Sequence, residues 1–166
     1  MSWARNRLDS LIDIARNARK SGDRDAQLDD LVAKLSEVLR ADRSTLYRID
    51  PATGELCSRV TQGDDALEIR LKVGQGLAGW VAMTGIPLRI NDVLKDDRFD
   101  ARWDKASGYR TETVLCAPLL DHAGTLIGVL QVLNKPRGFD DDDLAFVEAV
   151  AAIFAMVEEN LALRAG

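Results

Sequence analysis

The run Gly74-Gln75-Gly76-Leu77-Ala78-Gly79 spells G-x-G-x-x-G, a spacing that in one setting cradles a pyrophosphate. That setting is a buried parallel strand before the glycines and a βαβ unit around them. Here the preceding residues alternate apolar Leu67, Ile69 and Leu71 with charged Glu68, Arg70 and Lys72, the pattern of a strand with one wet face. A dinucleotide site fits that context poorly. Two readings stay open: a helix starting near Leu77 whose free backbone N–H groups favour an anion, or a plain turn that needs glycine for positive φ.

Other reactive residue types are sparse. Cys116 lies in the apolar run Val114-Leu115-Cys116-Ala117-Pro118-Leu119 and reads as a small buried hydrophobe. Cys57 sits in a mixed strand with no obvious activating base nearby. The single histidine, His122, falls in a turn beside Gly124 and reads as solvated. Without it neither a Ser-His-Asp triad nor a common zinc site can be assembled, and no metal is expected. Five Asp between Asp92 and Asp104 are mixed with Lys95, Arg98 and Arg102, as on a solvated face. Phe99, Trp103 and Tyr109 interrupt that stretch, and three aromatics in a polar loop point to a lid.

The elements that must position these residues follow from periodicity. Leu8, Leu11, Ile12 and Ala15 form one apolar helical stripe within residues 3–20. Leu28, Leu31, Val32, Leu35, Val38 and Leu39 repeat at helical spacing and predict a second helix ending near Arg40. The period then changes to strands over Ser44–Asp50 and Glu55–Gln62, joined through Pro51-Ala52-Thr53-Gly54, and over Leu67–Val73. A short helix over Leu77–Met83 and a brief strand over Leu88–Ile90 come next. Residues 91–112 are polar and irregular, long enough for a functional loop. Apolar strands over Thr113–Leu120 and Thr125–Asn134 precede a final helix from Asp140 to about Leu163, with Asp140 and Asp143 at capping positions. Phe146, Val150, Ile153, Phe154, Val157 and Leu161 supply its apolar spacing. Hairpin-joined strands with helices before and after predict an α+β domain with an antiparallel sheet and helices on one side.

Composition bounds the function. The 166 residues fit one domain, or one domain plus an appended helix. A net charge of −5 argues against a nucleic-acid surface, which wants a basic face. The longest uncharged stretch, Val73–Leu88, contains four glycines and Pro87 and falls short of the about 20 apolar residues a membrane span needs. No basic-then-apolar leader opens the chain, and nothing demands an oxidising compartment, so a cytoplasmic location is expected.

Taken in order, the blocks Gly74–Gly85, Asp97-Arg98-Phe99-Asp100, Ser107-Gly108-Tyr109-Arg110-Thr111, Leu115-Cys116-Ala117-Pro118 and Ile127–Lys135 resemble the GAF domain. The type most similar occurs in cyclic-nucleotide phosphodiesterases and some bacterial adenylyl cyclases, and the resemblance spans about Leu28 to Leu161. It implies a six-stranded antiparallel sheet with helices on one face and a ligand pocket with a lid loop on the other. It also implies residues 1–24 as a dimerisation and signalling helix and 25–166 as the GAF domain with its C-terminal helix. Asn134, Lys135, Phe139 and Asp143 match a motif of nucleotide-binding members, with Leu144 where that motif has Glu. In the family the Lys and Asp form an ion pair that braces the pocket from behind.

By the same resemblance, ligand contacts fall on Thr45, Thr61, Gln62, the backbone of Leu77 and Ala78, Asp100, Asp104, Ser107, Thr111 and Gln131. The implied activity is regulatory rather than catalytic: a sensor of cAMP or cGMP, without a separate cofactor, that signals through its terminal helices in a homodimer to an effector domain. Gln62, an amide able to donate and accept, tips the reading towards cAMP. Rival readings are a module for another metabolite such as 2-oxoglutarate, a ligand-free dimerisation module, and a thiol-dependent reductase of free methionine sulfoxide. The last lacks the expected cysteine arrangement.

Overall fold

The computed structural model describes residues 3–18, 24–59 and 68–165. Two helices, α1 (Trp3–Asn17) and α2 (Arg24–Leu39), precede the strands β1 (Arg43–Ile49), β2 (Leu56–Arg59) and β3 (Glu68–Leu71). Helix α3 (Gly76–Thr84) and strand β4 (Leu88–Ile90) follow. The polar stretch then holds one 3-10 turn (Val93–Lys95) and the short helix α4 (Arg102–Ser107). Strands β5 (Val114–Leu120) and β6 (Leu126–Leu133) lead to the long helix α5 (Asp141–Ala165).

The six strands form one antiparallel sheet in the order β3-β2-β1-β6-β5-β4. Neighbours in sequence pair as β1-β2, β2-β3, β4-β5 and β5-β6, while α3 carries the chain from the β3 edge to the β4 edge and α4 lies in the connection between the paired β4 and β5. The predicted α+β fold is therefore the observed one.

Alternation along the strands sorts side chains onto two faces. Leu46, Leu115, Ala117, Leu119, Leu130 and Val132 pack against α1, α2 and α5, where Leu31, Leu35, Phe146, Val150 and Phe154 meet them. Tyr47, Val114, Cys116 and Val129 point the other way, towards Leu77, Ala78 and Val81 of α3 and Val93 of the polar stretch. Each fully buried Leu, Val or Phe contributes about 1.5–3 kcal/mol, so both layers are well supplied. Because β5 and β6 are covered on both sides, they read as nearly continuous apolar runs.

The stripe Leu8, Leu11, Ile12 and Ala15 faces the core only in part: Leu11 packs against it, while Leu8 is 57% and Ile12 40% exposed. The inner face of α1 instead carries Arg7, Leu11 and Ile14, with Arg7 only 7% and Ile14 0% exposed. The cause lies on α5, whose buried carboxylate Asp143 pairs with the Arg7 guanidinium. That charge sets the rotation of α1 and leaves two large apolar side chains outside.

Candidate functional site

The site begins where β3 turns into α3. Gly74 and Gly76 take φ of +91° and +67°, the left-handed region that glycine enters without strain. A Cβ on Gly79 would lie 2.7 Å from the carbonyl oxygen of Lys72, so the third glycine lets the helix close against the strand. Gln75 locks the turn, accepting the Lys72 N–H on Oε1 at 3.1 Å. The first helical hydrogen bond comes from the Gly79 N–H to the Gln75 carbonyl at 3.1 Å. The N–H groups of Gly76, Leu77 and Ala78 consequently lie ahead of the helical ladder. Leu77 and Ala78 are 5% and 2% exposed, and among the described residues neither N–H has an acceptor. Buried donors without partners at a helix N-terminus favour an anion.

On the same side of the sheet, the register aligns Thr45 with Gln131 and Gln131 with Cys116. Thr45 is 5% exposed, and its hydroxyl has no partner among the described residues. Gln131 is held in place: its Oε1 lies 3.5 Å from the Cys116 Sγ, and its side chain hydrogen bonds the phenol of Tyr47. Burial pushes the Tyr47 phenol up, with Cys116 adding to the effect and Gln131 opposing it, so the group stays protonated. The floor thus offers a hydroxyl, an oriented amide and a neutral phenol.

The aromatic-bearing polar stretch closes over this side. Phe99 packs into the lower core layer, and the Arg98 guanidinium stacks 4.5 Å from the Trp80 ring centroid on α3. Asp100 sits beside the start of α3, accepting from Gln75 Nε2 at 3.3 Å and from Arg102 Nη2 at 2.6 Å. Hydrogen bonding from Arg102 holds the Asp100 carboxyl well below the usual carboxylate range, against the opposing effect of burial. Asp104 accepts both the N–H and the hydroxyl of Thr111, at 2.7 and 2.8 Å. Tyr109 donates to Asp42 at 2.6 Å while Arg43 stacks 4.1 Å from its ring. Trp103, counted as part of the lid in the sequence, remains 38% exposed.

Behind the lid, Asn134 takes φ of +57° and gathers the returning chain. Its Oδ1 accepts from the N–H groups of Glu112 and Thr113 at 2.7 and 3.1 Å, and its Nδ2 donates to the Tyr109 hydroxyl and the Arg110 carbonyl. Lys135 Nζ grips Asp143 at 2.9 and 2.7 Å. Asp143 also forms a reciprocal cap with Asp140: each accepts the other's N–H, at 2.9 and 2.7 Å.

The GAF domain family model matches residues 23–157. The chain belongs to this family. Among curated relatives, the GAF chain is 33% identical over 167 residues to "Probable 3',5'-cyclic phosphodiesterase pde-5" of Caenorhabditis elegans, covering 91% of this chain and 23% of that protein. It is 34% identical over 124 residues to the dual 3',5'-cyclic-AMP and -GMP phosphodiesterase 11 of Drosophila melanogaster, covering 65% of this chain and 8% of that protein. The chain therefore spans less than a quarter of these relatives' length. In structure it is similar to the GAF domain of a phosphoenolpyruvate-protein phosphotransferase from Coxiella burnetii, with a TM-score of 0.88, 25% identity and 99% of each chain covered.

Within this GAF fold the expected site residues divide. Thr45, Gln131, Leu77 and Ala78 face one layer, and Asp100, Asp104 and Thr111 line the lid side, though their polar atoms bond Arg102, Gln75 and one another. Ser107 instead ends α4, donating to the Trp103 carbonyl at 2.7 Å and accepting the Tyr109 N–H at 3.2 Å. Thr61 and Gln62 lie outside the described residues. The brace of Asn134, Lys135, Phe139 and Asp143 is assembled, and Leu144, in place of the family's Glu, packs against the helical core layer.

Several working residues escaped the sequence reading. Tyr47 shares its face with Thr45 at a spacing of two, a signal that was available. Asn91 clasps Phe139, accepting its N–H at 2.8 Å and donating to its carbonyl at 3.0 Å. Nothing local announces that contact across 48 residues. His122 is 82% exposed at the side chain, as expected of a turn, yet its Nδ1 meets the Glu159 carboxylate on α5. Burial pushes the Cys116 thiol up, and the Glu68 carboxylate 2.8 Å from Cys57 does the same there. Both sulfurs are held as thiols, a poor state for nucleophilic chemistry.

Proposed function

We propose that this GAF domain is a regulatory sensor of a cyclic nucleotide, cAMP or cGMP, bound between the sheet and the lid from Asp92 to Thr111. One observation carries the reading: the buried N–H groups of Leu77 and Ala78 without acceptors, on the same side of the sheet as the unpartnered Thr45 hydroxyl. A cyclic phosphate supplies the missing acceptor in this reading, and the Gln131 amide meets a ribose or base edge. The named cyclic-nucleotide phosphodiesterases among the relatives support the same choice.

Binding acts as a population shift, in which ligand favours the lid-closed form only by its differential affinity for it. The terminal helices would pass that shift to an effector domain through a homodimer. Leu8 and Ile12 on α1 and Met156 on α5, at 57%, 40% and 63% exposure, are the apolar groups available for such pairing. Among the described residues no helix is long and apolar enough to cross a membrane. A second reading, a different small anionic metabolite, draws on the same N–H groups, because these read charge and not a base.

Differential scanning fluorimetry and calorimetry with cAMP, cGMP and 2-oxoglutarate test the proposal, with light scattering for the dimer. Ligand at a hundredfold excess over Kd stabilises by about 2.7 kcal/mol, a rise in Tm on the order of 5–10 °C for this size. A response to 2-oxoglutarate alone would move the assignment to the second reading. Silence with every ligand would leave a dimerisation module.

A further inference from the structure

We infer that Arg7 makes α1 a reader of the lid, through polar contacts joined by the Asn134–Lys135 backbone and running from the lid's return to Asp143 and α1. The first links are the N–H groups of Glu112 and Thr113 on Asn134 Oδ1. A second tie lies beside them, from the Lys135 N–H to Thr113 Oγ1 at 3.1 Å. Lys135 then holds both oxygens of Asp143, which is 0% exposed at its side chain. Asp143 is also the carboxylate that Arg7 Nη2 grips, while Arg7 Nη1 donates to the Asp142 carbonyl at 3.2 Å and the guanidinium lies 5.2 Å from the Phe146 ring centroid. One buried acid therefore receives a cation from the lid's brace and a cation from the first helix.

The orientation of α1 argues that this contact is more than incidental packing. Turning Leu8 and Ile12 inward would bury two large apolar side chains, each a substantial gain. The helix instead buries a cation, keeping its polar end on Asp143. A carboxylate clamped from two sides has two arrangements to choose between when one cation moves, the kind of two-state element that coupling requires. An open groove beside the returning segment, lined in part by Val93, Arg110, Thr113 and Arg137, leaves one side of that segment facing solvent. The inference rests on the reading above only in calling the segment from Asp92 to Thr111 a ligand lid. The wiring itself is testable with no nucleotide present.

The test is amide hydrogen exchange of α1 in wild type, Asn134→Gly, Arg7→Met and their double variant, with Arg7→Lys measured alone and together with Asn134→Gly. Glycine keeps the left-handed backbone that Asn134 adopts and removes only the side chain that ties the lid. Asn134→Gly is expected to speed exchange in α1 by about threefold to tenfold, far from the altered residue. In the Arg7→Met background, where α1 exchange is already fast, it should add nothing, whereas Arg7→Lys should restore part of the response. Unchanged α1 exchange in Asn134→Gly, alongside faster exchange in 109–113, would overturn the inference. So would simple multiplication of the two effects in the double variant. If Asn134→Gly does not fold, Tyr109→Phe, which removes the phenol from both Asn134 and Asp42, enters the same cycle under the same criteria. Failure of cyclic nucleotides to bind would leave these outcomes untouched.

Discussion

Asp104 and Thr111 close a loop within the lid: one carboxylate oxygen takes the Thr111 N–H at 2.7 Å and the other takes its hydroxyl at 2.8 Å. Across seven residues this pair fixes how α4 returns towards the sheet. Asp104→Ala and Thr111→Ala should each weaken nucleotide binding about tenfold, or ~1.4 kcal/mol, by loosening the lid. Folding should survive, with Tm within a few degrees of wild type. Calorimetry and a thermal melt check both halves, and unchanged affinity in both variants would count against the lid.

Thr45 offers an opposite sign for stability and binding. A buried hydroxyl left without a partner costs roughly 1–3 kcal/mol, and Val has the same shape without it. Thr45→Val should therefore keep or raise the melting temperature while lowering affinity for the cyclic nucleotide. A residue of purely structural importance would lose both together.

Lys135→Ala removes one of two cations from a buried acid. Breaking a buried pair costs about 3–5 kcal/mol, and the lower end applies because Arg7 stays. On the order of 10 °C should be lost from Tm, measured by fluorimetry or circular dichroism. Any fall in affinity should follow from that loss of stability rather than from a lost ligand contact.

Acid should release the same junction. Burial pushes the Asp143 carboxyl up, but Lys135, Arg7 and the Asp140 N–H together outweigh it and hold the group below its ordinary value of 3.8. A folded-state value below the unfolded one adds stability above the unfolded value, and that stability disappears as pH falls through the folded one. Melting temperatures between pH 7 and pH 3 should drop most steeply below about pH 4. Asp143→Asn should melt lower at pH 7 yet show a flatter acid limb. Equal slopes in the two proteins would assign acid sensitivity to other carboxylates.

Most of the sheet was legible because strand alternation and hairpin turns are local signals. Glu68, Arg70 and Lys72 marked a wet face, and the doubly covered β5 and β6 announced themselves as continuous apolar runs. The glycine motif was legible in kind: its role as a tight, close-packed turn and a source of free N–H groups follows from residues within six positions. Rotation of α1 was not legible, since it depends on an acid 136 residues away that draws Arg7, rather than Leu8 and Ile12, to the inner face. The Asn91 clasp on Phe139 and the Tyr109 clamp on Asp42 and Arg43 were hidden for the same reason. Long-range polar contacts leave no periodicity behind.

The doubly held Asp143 also sets a practical limit on shortening this domain. A version starting at the second helix would strip away half of that acid's neutralisation and uncover the Ile14 site. Such a trimmed protein should be fragile for reasons that have nothing to do with its ligand, and comparisons made with it would confuse weakened folding with weakened recognition.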